Sequence, residues 1–109
     1  MPTPESRVKA KVKRLLDRYK PRYEFFPVPY GYGASTLDCI VCFRGRFIGI
    51  EAKKPGGKPT DRQKMIMRIM KAAGAAVFLI DGENGELEKL QDYLEELAKH
   101  GAEERGAEG

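Results

Sequence analysis

The sequence predicts a single α/β domain in which a mixed four-stranded sheet is flanked by helices. Apolar residues recur at helical spacing in three segments and form strand-like runs in four others, which gives the order α-β-β-β-α-β-α. Three strands in succession favour antiparallel pairing, and the strand–helix–strand unit that follows favours a right-handed parallel crossover. The length of 109 residues allows one modest core but not two.

The first helix is predicted over residues 4–19, where apolar side chains form one stripe and basic side chains cover the other face. Pro21 lies just beyond this segment and helps to stop the helix. A first strand is predicted over residues 23–28, which are rich in aromatic residues. The glycine-rich loop that follows contains Tyr30 and Tyr32, which either stack on bases or cover the edge of the sheet.

A two-residue hairpin turn is predicted at Arg44-Gly45, between strands over residues 37–43 and 46–52. Positions whose numbers sum to 89 then face each other. This register gathers six apolar residues on one buried face, which supports it independently of any charge. A bulge at Gly45 is the alternative and would shift the register by one residue. The six residues are Leu37, Cys39, Val41, Ile48, Ile50 and Ala52.

A second helix is predicted after a basic, glycine-rich loop over residues 54–59. Thr60 and Gln63 match a capping box at the start of this helix. Gly74 is the natural C-terminal cap.

The last elements are a strand over residues 75–80 and an amphipathic helix marked by apolar residues between 87 and 97. We predict one domain over residues 1–100. The polar, small residues 101–109 predict a disordered acidic tail.

The charge is divided unevenly along the chain. Residues 1–81 contain 17 Lys and Arg against 7 Asp and Glu, whereas residues 82–109 contain 3 against 9. A basic body favours a polyanionic partner, most simply nucleic acid, although a solvated lysine-rich surface is the alternative. No apolar run approaches the ~18–20 residues of a membrane span, and the N-terminus lacks a signal peptide. We therefore expect an intracellular protein with no membrane partner.

Two cysteines and one histidine offer little chemistry of their own. Cys39 and Cys42 have C-x-x-C spacing, but a zinc site needs two further ligands nearby and the sequence has none. In a strand these two residues point to opposite faces, so we expect small, partly buried thiols. His100 is the only histidine, which argues against a histidine-based triad.

Asp38 and Glu51 face each other on the predicted register. Two carboxylates directly opposite on neighbouring strands have Cβ atoms roughly 4.5–5.5 Å apart and repel each other. A shared divalent cation is the simplest resolution, and Mg²⁺ is typically held by one or two carboxylates with substrate phosphate oxygens. An exposed residue on a solvated sheet face is the alternative for Asp38.

Lys53 lies two residues after Glu51 and therefore on the same strand face. A lysine beside a metal can orient the attacking water and stabilise charge that develops on phosphorus. The backbone carbonyl of Ala52 can reach the edge of the metal site. These groups together predict phosphodiester hydrolysis. A simple ion pair with an acid is the alternative for Lys53.

Asp38 and the tripeptide Glu51-Ala52-Lys53 resemble the acidic residue and the (D/E)xK motif of the PD-(D/E)xK nuclease superfamily. The chain is similar to the small stand-alone VRR-Nuc proteins of that superfamily, which are typical of viruses. The resemblance covers about residues 3–80. One departure is the leucine before Asp38, where the family often has proline.

Gln63 matches the glutamine that VRR-Nuc proteins carry at the start of the helix after the hairpin. Helix capping alone would also explain it. Glu5 resembles the early glutamate of the family, which can join the metal shell, although an acidic residue in a first helical turn is favoured by the helix dipole anyway.

The resemblance implies a restriction-endonuclease-like core and a Mg²⁺- or Mn²⁺-dependent DNA endonuclease. Small stand-alone members resemble dimeric enzymes that resolve four-way (Holliday) junctions in DNA repair, so the implied partners are branched DNA and a second copy of the chain. A viral protein of this kind would act in the host cytoplasm. The alternatives are a non-catalytic nucleic-acid-binding module and a nickase or exonuclease of the same superfamily.

Two further groups of residues complete the predicted surface. Four basic side chains are either phosphate contacts or solubility charges: Arg44, Arg46, Lys54 and Lys58. Four apolar residues of the second helix exceed what one helix face needs and form either a dimer interface or ordinary core: Met65, Ile66, Met67 and Met70.

Overall fold

The described residues form a four-stranded mixed sheet with three helices. The computed structural model describes residues 3–25 and 37–108, with side chains as far as His100. Strand order in the sheet is the order along the chain; the first three strands pair antiparallel and the last two pair parallel. This confirms the predicted α/β class and the mixed sheet. The elements are α1 (Pro4–Leu16), β1 (Tyr23–Phe25), β2 (Cys39–Phe43), β3 (Arg46–Ala52), α2 (Asp61–Ala72), β4 (Ala76–Ile80) and α3 (Glu86–Glu108).

The hairpin between β2 and β3 has the predicted two-residue turn. Arg44 and Gly45 have φ values of 52° and 77°, the left-handed pair that a type I′ turn requires. Cys39 pairs with Ile50, so the predicted register is confirmed and the alternative bulge is absent. Asp38 immediately precedes this ladder and Glu51 follows Ile50, which brings both acids to the same end of the hairpin.

The main core lies between the sheet and helices α1 and α3. Five of the six residues predicted for the buried face belong to it, together with apolar residues of both helices such as Val8, Leu16 and Leu90. Hydrophobic burial on this face fixes the register, because a one-residue slip would turn the whole set to the other side. The five hairpin residues are Cys39, Val41, Ile48, Ile50 and Ala52.

Leu37 is the exception among the six. Its side chain is buried, but a Cβ added to Gly49 would lie 3.0 Å from Leu37 Cδ1 and 2.5 Å from Met70 Cε. Gly49 faces away from Ile48 and Ile50 because side chains alternate along a strand. Leu37 therefore lies on the face that α2 covers; it precedes the first residue of β2, where strand alternation does not yet apply.

Helix α2 begins with the predicted capping box. Gln63 N donates to Thr60 Oγ1 over 3.2 Å, and Thr60 N donates to Gln63 Oε1 over 2.9 Å. Gly74 follows the helix with a φ of 102°, as a C-terminal cap requires. The predicted apolar surface of α2 is divided: Ile66 is buried, Met67 and Met70 are half-buried, and Met65 is exposed.

Several boundaries differ from the prediction. Helix α1 ends at Leu16 rather than at residue 19. Strand β1 is described over Tyr23–Phe25, and the rest of the predicted strand, residues 26–28, lies outside the described residues. The loop with Tyr30 and Tyr32 lies outside the described residues. Helix α3 continues to Glu108, and the disorder expected for residues 101–109 stays a prediction. Within the described residues, no helix is long and apolar enough to cross a membrane.

Candidate functional site

Asp38 and Glu51 are each held by the backbone of the other strand. Asp38 N donates a hydrogen bond of 3.0 Å to Glu51 Oε1, and Ala52 N donates one of 3.0 Å to Asp38 Oδ2. This reciprocal arrangement places both carboxylates side by side at the end of the β2–β3 hairpin. Only 3% of the Glu51 side chain is exposed, against 30% of the Asp38 side chain, so Asp38 lies on the solvent side of the pair.

Gln63 connects helix α2 to the acidic pair. Its Nε2 donates to Glu51 Oε2 over 2.6 Å, while its Oε1 accepts the Thr60 N–H that closes the capping box. The sequence left open whether Gln63 caps the helix or belongs to the site, and the structure shows that it contacts both. Because the cap fixes which end of the amide faces Thr60, the amide NH₂ is the end that reaches Glu51. A catalytic role for Gln63 stays a prediction.

Lys53 lies on the buried side of the pair. Its Nζ is 3.8 Å from Glu51 Oε2, and 15% of its side chain is exposed. The Lys53 N–H donates to the Ile80 carbonyl over 2.9 Å, which anchors its backbone to β4 just beyond the end of β3. The predicted proximity of Glu51 and Lys53 is therefore present.

Lys9 is a member of the site that the sequence analysis missed. Its Nζ lies 3.7 Å from Asp38 Oδ1, with 47% of the Lys9 side chain exposed. The available signal was its position four residues after Glu5, because residues four apart share one face of a helix. Val8 and Val12 bury the other face of α1 in the core, which fixes the helix over the end of the hairpin.

Burial and charge raise the pKa of the Glu51 carboxyl from its ordinary 4.5 to about 7. The largest cause is desolvation, followed by the negative charge of Asp38, with a smaller contribution from Glu5. The Asp38 N–H and the Lys53 charge act in the opposite direction but do not compensate. Glu51 is therefore close to half-protonated at neutral pH, which indicates negative charge that the protein itself leaves unbalanced.

The acidic pair fits a hard divalent cation in ligand type. Carboxylate oxygens are what Mg²⁺ and Mn²⁺ prefer, and a Mg²⁺ site commonly has only one or two carboxylates, with water and phosphate oxygens as the other ligands. Among residues 3–25 and 37–100, no three Asp, Glu, His or Cys side chains come close enough together to hold a metal ion. Glu5 is half-buried near the pair without completing such a group, and its role as a ligand stays a prediction, as does that of the Ala52 carbonyl.

The four predicted phosphate contacts fall into two groups. Lys54 and Lys58 are in the loop directly after Lys53, where both side chains are at least partly accessible to solvent. Arg44 and Arg46 lie at the hairpin turn. Five residues of extended strand place Arg46 about 17 Å from Glu51. The Arg44 guanidinium lies 5.4 Å from the centre of the Phe43 ring.

Asp81 fixes the loop after Lys53, a role that the sequence did not reveal. Its Oδ2 accepts the Gly56 N–H over 3.1 Å, and its Oδ1 accepts the N–H groups of Glu83 and Asn84 over 2.8 and 2.7 Å. These bonds lower the pKa of the Asp81 carboxyl, with the Glu83 N–H as the largest cause. The basic loop is thereby tied to the turn between β4 and α3.

The site thus brings together Asp38, Glu51, Lys53 and Gln63, with Lys9 as an additional cation. Comparison with models of known protein families and with curated protein sequences finds no match.

Proposed function

We propose that this chain is a divalent-metal-dependent, structure-selective DNA endonuclease of the PD-(D/E)xK type, with a restriction-endonuclease-like core. The observation that carries the proposal is the pairing of the Asp38 and Glu51 carboxylates. Each accepts a hydrogen bond of 3.0 Å from a backbone N–H of the other's segment, and Lys53 lies beside them. A fold does not keep such a repelling pair for stability, since apolar residues at both positions would relieve the repulsion.

Asp38 and Glu51 would hold Mg²⁺ or Mn²⁺, with the Ala52 carbonyl and Glu5 as the further candidate ligands. A divalent ion there supplies a Lewis acid and a nucleophilic water of lowered pKa. The raised pKa of Glu51 supports this assignment, because a cation held by the two acids would offset the desolvation and the Asp38 charge that keep the proton on Glu51.

The remaining side chains act on charge and orientation. Lys53 stabilises the negative charge that develops on the phosphoryl group. Its Nζ lies 3.8 Å from Glu51 Oε2 and is therefore beside the proposed metal site. Gln63 holds the Glu51 carboxylate in one orientation through its amide NH₂. Lys54 and Lys58 contact phosphates on either side of the cut, because their loop begins directly after Lys53.

A homodimer and branched DNA are part of the proposal. The part of the chain with described side chains contains one such acidic pair, so nicking two strands of a four-way junction takes two chains. The α2 surface offers an apolar area for self-association: Met65 is 48% exposed, Ile69 is 60% exposed and the neighbouring Phe47 is 47% exposed. Ile66 is buried and does not contribute to that surface. Sedimentation showing only monomer at micromolar concentration would remove the paired-cut mechanism.

A non-catalytic nucleic-acid-binding module is the second candidate. It is favoured by the excess of basic over acidic side chains in the body of the chain. A module of this kind would use the basic residues of the body, which carries 17 Lys and Arg against 7 Asp and Glu over residues 1–81.

A cleavage panel separates these possibilities. The purified protein is incubated with four-way, flapped and linear duplex DNA and Mn²⁺, and the cut positions are mapped. Symmetric paired nicks at the junction support the proposal; progressive shortening from ends indicates an exonuclease, and binding without any cut indicates the module. Asp38→Ala should abolish cleavage with DNA affinity within a few-fold, because basic contacts supply most of the affinity. Exposed Asp92→Ala is the matched control.

A further inference from the structure

We propose that Lys9 is a displaceable counter-cation, which neutralises Asp38 in the metal-free protein and binds a DNA phosphate once a divalent cation occupies the acidic pair. This inference rests on the proposed function, since it assumes that the pair binds a metal. The juxtaposition that supports it is Lys9 Nζ at 3.7 Å from Asp38 Oδ1.

The two oxygens of Asp38 have different partners. Oδ2 accepts the Ala52 N–H at 3.0 Å and is committed to the hairpin, whereas Oδ1 faces Lys9 at a distance longer than a hydrogen bond. A metal between Asp38 and Glu51 would therefore have to compete with the Lys9 ammonium for Oδ1, and its double charge would repel that ammonium.

The Lys9 side chain is free to move while its backbone is not. Helix α1 is fixed by Val8 and Val12, which are 3% and 2% exposed in the core. The Lys9 side chain itself is 47% exposed and carries its charge on a flexible four-carbon stem, so it can swing without moving the helix. In contrast, Lys53 is 15% exposed beside Glu51, which suits a cation that stays in place.

Charge balance gives a reason for the movement. When all are ionised, the three acids Asp38, Glu51 and Glu5 exceed the two lysines, Lys9 and Lys53, by one negative charge, and this excess holds Lys9 beside Asp38 in the metal-free protein. When a divalent cation binds, the site gains two positive charges that a phosphodiester partly offsets. The bound cation would then weaken the attraction between Lys9 and Asp38, and a phosphate of DNA bound at the site would be the anion that replaces Asp38 as the partner of Lys9.

The first measurement is Mn²⁺ binding by calorimetry without DNA. Lys9→Met should bind Mn²⁺ about fivefold more tightly than the wild type, because an exposed ion pair of this type contributes up to about that factor. Lys11→Met makes the same charge change two residues along the same helix, on a different face, and should change the affinity much less. Unchanged or weaker Mn²⁺ binding by Lys9→Met would overturn the inference and leave the proposed nuclease intact. A wild type that binds no Mn²⁺ would overturn both.

The second measurement is the salt dependence of DNA binding with Ca²⁺ and with EDTA. Ca²⁺ takes the same hard oxygen ligands with looser geometry than Mg²⁺. With Ca²⁺, Lys9→Met should bind DNA more weakly than the wild type. The slope of log affinity against log salt concentration should also be smaller, by the amount that corresponds to about one phosphate contact. With EDTA the wild type and Lys9→Met should have the same slope, because Lys9 then stays paired with Asp38 and does not contact DNA. Equal loss in both conditions would mean a permanent phosphate contact and would contradict the exchange.

Discussion

Glu51 should make the metal-free protein less stable as the pH rises from 5 to 8. Its pKa in the folded protein is about 7, above the ordinary 4.5 of the unfolded chain. Between these two values the folded state binds a proton that the unfolded state has lost, so the free energy of unfolding falls with increasing pH. Well below pH 4.5 both states are protonated and well above pH 7 both are ionised, and Glu51 then adds no further slope.

The size of the effect follows from the separation of the two pKa values. The interval from 4.5 to about 7 corresponds to about 3 kcal/mol, at about 1.4 kcal/mol for each tenfold change in proton affinity. Most of that falls between pH 5 and pH 8. With only 3% of the Glu51 side chain exposed, solvent screening reduces it little.

The assay is urea unfolding in EDTA at several pH values, on wild type and on Glu51→Gln. The difference in slope between the two proteins is the readout, because contributions from other titrating groups cancel in it. Absolute stability is a poorer readout. Glu51→Gln introduces an amide whose NH₂ group can face the donor Gln63 Nε2, and two facing donors would destabilise the variant at every pH. Glu88→Gln, at an exposed position of α3, should retain the wild-type slope. A wild-type stability that is flat or rises from pH 5 to pH 8 relative to Glu51→Gln would mean that Glu51 is already ionised in the folded protein at pH 5.

Three other outcomes are expected. Lys53→Ala should stop cleavage while Mn²⁺ affinity measured by calorimetry stays within a few-fold; cleavage at the wild-type rate would contradict the role of Lys53. Gln63→Ala should lower the free energy of unfolding by about 1 kcal/mol through loss of its side-chain hydrogen bonds to the Thr60 N–H and to Glu51, and should also lower the cleavage rate, whereas Asp61→Ala at the exposed helix start should affect stability alone. Mn²⁺ affinity should be about tenfold lower at pH 6 than at pH 8, because the metal displaces the proton from Glu51; an affinity independent of pH would contradict a pKa near 7.

The hairpin and its acidic pair were accessible from the sequence because two independent constraints agree there. A two-residue turn ending in glycine fixes the register, and the apolar alternation fixes which face is buried. The pairing of Cys39 with Ile50 follows, and with it the meeting of Asp38 and Glu51. The capping box at Gln63 was also predictable, because it depends only on two residues that lie three apart in the sequence.

The contacts of Lys9, Leu37 and Asp81 were not accessible in this way. Each joins segments far apart in the chain: Lys9 reaches Asp38 from another element, and Asp81 reaches Gly56 from beyond the end of β4. Leu37 stands just outside β2, where alternation no longer decides the face. Such contacts depend on how whole elements pack, which local periodicity does not encode.

The most direct measurement is the position of manganese in crystals of this protein soaked in Mn²⁺. We expect an anomalous peak bonded to carboxylate oxygens of both Asp38 and Glu51, at about 2.0–2.6 Å, the range of Mg²⁺ and Ca²⁺ bonds to oxygen. No peak there, or a peak bonded to only one of the two acids, would mean that the pair does not hold a shared cation.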